Sequence, residues 1–201
     1  VLFALVGVAF IIDGRTVMSQ TRDNLWLIGV GPVPRDKSSV WSRGRLVGAT
    51  VVVVGGVAAA VLAWVTAQLM ASLFPRAEDL VDDRYDIYAG HSTPYVWLVQ
   101  LVENGLSEEL VFRSPVLAAY LLLRASTLAH RRFAWMLWAV GSVGWTTVFA
   151  LSHSDYGMWN VAPAFVMGLV FVGVTVLTRT VWTAVIAHTT YNTWAVLGSP
   201  I

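Results

Sequence analysis

Three groups of polar side chains lie inside long apolar stretches of this 201-residue sequence. An ionisable group at bilayer depth costs about 2.5–3.5 kcal/mol on insertion scales, so such groups normally face the interior of a helix bundle or a water-filled cavity. We therefore treat the three groups as candidate functional residues. They are the run Glu108-Glu109-Leu110-Val111-Phe112-Arg113, the pair Phe149 and His153, and the pair His188 and Asn192.

Helical spacing separates the two adjacent carboxylates. On a helix, Glu109 and Arg113 are four residues apart and can form an ion pair on one face, whereas Glu108 is rotated by about 100° from its neighbour. Glu109 is thus predicted to be paired and Glu108 to be freer. Taken alone, this run also has a structural interpretation, as an ion-pair cluster that holds helices together.

The two histidines each have a second notable side chain at helical spacing. His188 and Asn192 are four residues apart, so the imidazole and the carboxamide project from one helix face. Phe149 precedes His153 by four residues and, by itself, is an apolar residue that packs beside the imidazole. A single histidine of this kind is more often a hydrogen-bonded interior residue than a ligand or a base. Three such groups in one sequence are harder to explain as separate interior residues than any one of them alone.

The composition is typical of a membrane protein. Hydrophobic residues make up 57% of the chain and charged residues 12%, against about 25% charged residues in ordinary soluble domains. A net charge of +1 provides no basic surface for nucleic acid. The absence of cysteine excludes disulfides, thiolate metal sites and cysteine nucleophiles. Lys37 is the only lysine among 13 basic residues, and together with the abundance of Ala, Val and Gly this indicates a bacterial source.

The long uncharged runs predict an all-α fold, a polytopic transmembrane helix bundle with about six spans, since about 20 apolar residues cross a bilayer. The first run is too short to cross. Because the sequence opens with Val, we expect an upstream part of that helix to be missing. We expect a single membrane domain over 1–201, with N-terminal helices and loops over 1–93 and a catalytic core over 94–198. The predicted spans are Val1–Ile12 (partial), Leu46–Phe74, Pro94–Leu123, Phe133–Ser152, Val161–Thr178 and Val181–Leu197.

The three groups form an ordered pattern on successive predicted helices: Glu-Glu-x-x-x-Arg, then Phe-x-x-x-His, then His-x-x-x-Asn. This pattern resembles the CAAX protease and bacteriocin-processing family of intramembrane endopeptidases, whose eukaryotic relatives are the type 2 CAAX prenyl endopeptidases. The resemblance covers about Pro94 to Leu197, and every position of the pattern is filled. It implies an enzyme that hydrolyses a peptide bond in a membrane-embedded or lipid-modified substrate.

The resemblance also implies a role for each residue. Glu108 would be the catalytic carboxylate, and His153 would help to hold or activate a water molecule. His188 and Asn192 would polarise the scissile carbonyl and stabilise the oxyanion. Peptide hydrolysis needs such a base, an oriented water molecule and donors aimed at the developing negative charge. The supporting residues would be Glu109, Arg113 and Phe149.

Zinc is the alternative to a metal-free glutamate mechanism. One Glu and two His can supply the three protein ligands of a catalytic zinc site, and here they would be Glu108, His153 and His188. The metal-free mechanism is favoured because Asn192 fits an oxyanion donor better than a zinc ligand, and because no His-Glu-x-x-His signature is present. Hence no cofactor is favoured.

Two further classes of function stay open from the sequence. The chain could be a non-proteolytic membrane partner, a scaffold or a bacteriocin-immunity protein, or it could be a transporter whose buried Glu and His relay protons. The expected partners are a peptide or protein substrate in the membrane, the lipid bilayer and a membrane protein complex partner, with no nucleic acid. The expected location is the bacterial plasma membrane.

Overall fold

The computed structural model describes residues 41–74, 88 and 90–198. All regular structure in these residues is helical, which confirms the all-α fold class, and they contain no strand. The predicted partial helix over 1–12 lies outside the described residues. The elements in chain order are α1 (Trp41–Leu73), α2 (Thr93–Gln100), a π-helical turn (Leu101–Leu106), α3 (Ser107–Phe112), α4 (Ser114–Ala125), a 3₁₀ turn (Thr127–His130), α5 (Arg132–Leu151), a second 3₁₀ turn (Ser154–Tyr156), α6 (Met158–Thr178) and α7 (Trp182–Gly198).

Three of the described helices are long and apolar enough to cross a membrane. They are α1, within Gly48–Met70, and the whole of α5 and α6. Large apolar side chains of α1 such as Val54 and Leu69 lie exposed on its surface, as suits a helix that faces lipid. The prediction of about six spans is not confirmed, because within the described ranges only these three helices meet both criteria. The last predicted span forms α7, which has 17 residues.

The run Pro94–Leu123, predicted as one span, is not a single helix. It is divided into α2, the π-helical turn, α3 and α4. Helix α4 restarts with Pro115 in its first turn, where the missing N–H of a proline is tolerated, whereas inside a helix the ring would clash with the carbonyl four residues earlier. The break falls at Arg113. Apolar composition predicted one continuous helix here and did not predict its division.

Helix α7 is packed against α1, α6 and the π-helical turn. Two glycines make these contacts close: a Cβ built on Gly56 of α1 would be 2.7 Å from Ile186 Cγ2. A Cβ built on Gly105 of the π-helical turn would overlap the Thr189 hydroxyl. In lipid, helices associate through close packing rather than through the hydrophobic effect, so small residues at the contacts set how near the backbones come. The π-helical turn and α3 are thereby held against the middle of α7.

Two apolar clusters position the remaining helices. In the first, Phe171 of α6 packs with Ala187 of α7 and Ala63 of α1. In the second, Phe149 of α5 packs with Ala164 of α6. Both phenylalanines are fully buried. The first cluster joins α1, α6 and α7, and the second joins α5 to α6.

Candidate active site

The two adjacent carboxylates of α3 lie in different environments. The Glu109 side chain is fully buried and its Oε2 lies 3.1 Å from Arg113 Nε, so the ion pair that the spacing predicts is present. The contact does not have the alignment of a hydrogen bond and acts as a charge pair. The Glu108 side chain is 27% exposed. One carboxylate is therefore sealed inside the bundle, whereas the side chain of the other is partly exposed.

The guanidinium of Arg113 lies between two aromatic rings. Its Cζ is 4.2 Å from the ring centroid of Phe149 and 5.7 Å from that of Phe171. A cation over a ring face is attracted by the ring quadrupole, by about 2 kcal/mol when desolvated. Phe149 thus contacts Arg113 in addition to His153. The sequence analysis missed Phe171, because a single Phe in an uncharged run does not indicate which residues of other helices it will contact.

His188 connects α7 to the buried carboxylate across 79 residues of sequence, with its Nδ1 2.8 Å from Glu109 Oε1. A carboxylate only accepts hydrogen bonds, so we assign the proton to Nδ1, which donates to Glu109. This bond directs the other ring nitrogen towards the second carboxylate, where His188 Nε2 lies 4.0 Å from Glu108 Oε2.

His153 approaches Glu108 from the end of α5. Its Nδ1 lies 2.9 Å from the backbone carbonyl of Phe149. Since that oxygen also only accepts, Nδ1 is again the donor. Its Nε2 lies 3.9 Å from Glu108 Oε2. Both imidazoles are therefore oriented by their Nδ1 bonds so that Nε2 faces the same carboxylate.

Two ring nitrogens thus approach one carboxylate oxygen, since the Nε2 atoms of His153 and His188 both lie within 4.0 Å of Glu108 Oε2. Separations of 3.9 and 4.0 Å are too long for direct hydrogen bonds, but one water molecule that makes bonds of about 2.8 Å can bridge them. Glu108 Oε2 is enclosed and has no hydrogen-bond partner in the described part of the chain. Glu108 Oε2 can therefore accept a hydrogen bond from a water molecule or from a protonated Nε2 of one imidazole.

The same three residues were the predicted zinc set. Two ligands of a tetrahedral zinc ion stand about 3.4 Å apart for bonds of 2.0–2.2 Å, and the observed separations of 3.9 and 4.0 Å are longer. No group of three or more His, Asp or Glu in the described ranges is arranged to hold a metal ion. A histidine that binds zinc usually donates from its other ring nitrogen to a carboxylate or a carbonyl, as the two Nδ1 atoms do here. The orientation of the rings is therefore compatible with both mechanisms.

Asn192 is the predicted site residue that stays apart from the cluster. It lies on α7, one turn beyond His188, and is half-buried. Within the described residues, no hydrogen bond or ion pair joins its side chain to the carboxylates. His188 and Asn192 share a helix face as predicted, but only His188 reaches α3.

The turn after α5 is held by Asn160, which the sequence analysis also missed. Asn160 Nδ2 donates to the backbone carbonyl of His153 at 3.1 Å. Between them the chain passes through Gly157, whose φ of 77° and ψ of −172° fall in a region that is essentially restricted to glycine. The glycine was a visible signal of a turn, but nothing in the sequence indicated which backbone atom the Asn160 amide would bind.

Comparison with known proteins identifies a family. The model of the family described as type II CAAX prenyl endopeptidase Rce1-like matches residues 90–194, just over half of the chain. The match overlaps most of the expected core over 94–198. No curated protein matches the chain, and no solved structure matches it.

Proposed function

Because the chain belongs to the type II CAAX prenyl endopeptidase Rce1-like family, we propose that it hydrolyses a peptide bond in a membrane-embedded or lipid-modified substrate by means of a water molecule that Glu108 activates. Its family and its apolar helices make it an integral membrane protein. The observation that carries the proposal is the convergence of two imidazole Nε2 atoms on Glu108 Oε2, within 4.0 Å. We propose 94–198 as the catalytic core and the bacterial plasma membrane as its location.

Glu108 is the carboxylate suited to act as the base. Its side chain is partly exposed and its Oε2 has no hydrogen-bond partner among the described residues, whereas Glu109 is sealed and already engaged with Arg113. A water molecule between Glu108 Oε2 and His153 Nε2 would be held by both. As its oxygen attacks the scissile carbonyl carbon, its proton passes to Glu108. Glu108 then returns that proton to the leaving amine as the C–N bond breaks, so that the carboxylate is regenerated.

His188 is suited to stabilise the oxyanion if both of its ring nitrogens are protonated. Nδ1 already donates to Glu109, so a second donation through Nε2 makes the ring an imidazolium. With Glu108, Glu109 and Arg113 ionised, this extra proton makes the cluster neutral overall. A neutral cluster is the least costly one in a low-dielectric interior. Glu109 would then be the counter-ion for both Arg113 and His188, and His188 Nε2 would donate to the oxyanion.

Asn192 is proposed as the second donor to the oxyanion. Its carboxamide projects from the same face of α7 as His188, one turn further along. A substrate carbonyl placed beside His188 Nε2 would lie between α7 and α3, within reach of a side chain from the next turn. No cofactor takes part in this mechanism, and the only reactants are the peptide and water.

Cleavage of a farnesylated peptide that ends in a Cys-aliphatic-aliphatic-X sequence tests the proposed function. We expect the purified protein in liposomes to release a shorter prenylated product, detected by mass spectrometry, and to keep this activity after treatment with metal chelators. Loss of activity on chelation and its recovery with zinc would replace the glutamate mechanism with the zinc alternative. Proton flux that depends on substrate, without any cleavage, would support a transporter instead.

A variant that binds but does not cleave gives a second test, which works even when the natural substrate has not been identified. Membrane proteins recovered with Glu108→Gln, but not with wild type, are expected to include the substrate, since a disabled protease retains what it would otherwise release. A partner that binds both forms equally and is never shortened would favour a scaffold or an immunity protein.

Replacing Asn160 with Leu is expected to lower kcat about tenfold and to leave KM within about twofold. The change removes one hydrogen bond, worth about 0.5–1.5 kcal/mol, from the turn that positions His153. Steady-state kinetics on the farnesylated peptide measures both constants. Ser154→Ala, an exposed position in the same turn, is the matched control. A rise in KM at constant kcat would contradict a positioning role for Asn160.

A further inference from the structure

A chain of polar side chains lies before α3, outside the catalytic cluster. Asn104 Nδ2 donates to Gln100 Oε1 at 2.6 Å. The Tyr88 hydroxyl lies beside the side chains of Gln100 and Glu103. Burial, and then the charge of Glu103, raise the pKa of Tyr88 above its usual value, so its hydroxyl stays protonated. These four side chains form one polar group in an otherwise apolar segment.

Gln100 is the most deeply buried of these side chains, with only 3% of its surface exposed. A carboxamide in an apolar segment is costly unless it is hydrogen-bonded, and here its oxygen accepts from Asn104. Because the Gln100 side chain is held by the packing around it, this bond also fixes the orientation of the Asn104 carboxamide.

The Asn104 carboxamide uses only one of the four hydrogen bonds that such a group can make. One N–H is used by Gln100, but no described residue hydrogen-bonds Oδ1, and this oxygen is not among the enclosed ones. Asn104 as a whole is half-buried. An oriented acceptor and a second N–H are thus presented at the protein surface.

Asn104 lies on the same side of its segment as Glu108. Gly105 and Glu109 are buried towards α7, and the residue before each of them, Asn104 and Glu108, is half-buried. Four residues are about one helical turn, which is about 5 Å along the axis, and an extended peptide advances about 3.3 Å per residue. The carboxamide is therefore about two residues away from a scissile bond held at Glu108.

We propose that Asn104 binds the main chain of the peptide substrate about two residues from the scissile bond. Oδ1 accepts from a substrate N–H, and the free Nδ2 hydrogen donates to a substrate carbonyl. A carboxamide complements a peptide group and requires no particular side chain, so this contact holds the substrate extended without selecting its sequence. The inference rests on the proposed function, since it needs a peptide at Glu108.

The first experiment measures KM and kcat of Asn104→Leu with the farnesylated peptide. We expect KM to rise about tenfold and kcat to change less than about twofold, because the contact is made equally in the bound substrate and in the transition state. Ser107→Ala is the matched control, since the Ser107 hydroxyl bonds to the backbone carbonyl of Glu103. This control should change neither constant.

A double variant separates substrate binding from support of Gln100. If Asn104 only satisfies Gln100, the combination of Asn104→Leu with Gln100→Leu removes both partners of that bond and restores activity, since paired apolar replacements are often nearly neutral. If Asn104 binds the substrate, KM stays raised in the double variant. Restored KM would overturn the proposal.

Methylation of the peptide nitrogens tests the contact itself. The probes are farnesylated peptides, each methylated at a different main-chain nitrogen within three residues of the scissile bond. We expect one of these methyl groups to weaken binding to wild type about tenfold. The same methyl group should not weaken binding to Asn104→Leu. If methylation at every nitrogen weakens binding to wild type and to Asn104→Leu equally, Asn104 does not bind the peptide main chain and the proposal is overturned. Dissociation constants measured in the Glu108→Gln background give the same comparison without cleavage. They therefore test the role of Asn104 even if wild type cleaves no peptide, a result that would contradict only the proposed function.

Discussion

Replacing Glu108 with Gln is expected to lower the rate of peptide cleavage by about 10²–10⁴-fold, the usual contribution of a general base, and to leave the fold intact. Gln preserves the size and the hydrogen-bonding capacity of the side chain but cannot take a proton from water. Glu108 is partly exposed, and its histidine neighbours are 3.9 and 4.0 Å away, so no close ion pair is lost. Initial rates, together with the midpoint of thermal unfolding in detergent, measure the two effects.

The control for this experiment is Asp155→Asn, which removes an exposed carboxylate shortly after His153. It should leave both rate and stability unchanged. If Glu108→Gln stays active while Glu109→Gln is inactive and fully stable, the roles that we assign to the two carboxylates are reversed.

Replacing Glu109 with Gln is expected to lower the free energy of unfolding by about 3–5 kcal/mol, as when one member of a buried ion pair is removed. The change leaves the guanidinium of Arg113 without its counter-ion at 3.1 Å. It also removes the carboxylate that His188 Nδ1 contacts at 2.8 Å. Low yield and a lower unfolding midpoint in detergent should therefore accompany any loss of activity.

A double variant tests the cause of this instability. Glu109→Leu combined with Arg113→Leu should be more stable than Glu109→Gln alone, because replacing a whole buried ion pair with apolar side chains is often neutral or stabilising. The cleavage activity should stay low, since His188 has lost its carboxylate partner. An unfolding midpoint for Glu109→Gln equal to that of wild type would contradict the structural role of the pair.

The spacing of residues in the sequence was sufficient to predict contacts that lie within one helical turn. The ion pair between Glu109 and Arg113 follows from a separation of four residues on any helix, whatever packs around it. The uncharged runs likewise predicted α5 and α6 closely, because a helix satisfies its own backbone hydrogen bonds and its apolar length follows from composition.

Composition did not predict where an apolar helix is interrupted. The run Pro94–Leu123 reads as one apolar span, but it contains a π-helical turn and a break at Arg113. Pro115 is compatible both with the start of a new helix and with a kink in a continuous one. The choice between them depends on what packs against the segment.

The sequence by itself determined that the chain is helical and apolar, which helices carry the polar groups, and which carboxylate is paired with Arg113. Only the tertiary structure decided that His188 reaches Glu109, that His153 and His188 converge on Glu108, and that Asn192 does not reach the carboxylates. Periodicity tells which residues share a helix face, but it does not tell which faces meet. That depends on close contacts between distant segments, such as Gly105 against Thr189, which set the position and the rotation of α7 relative to α3.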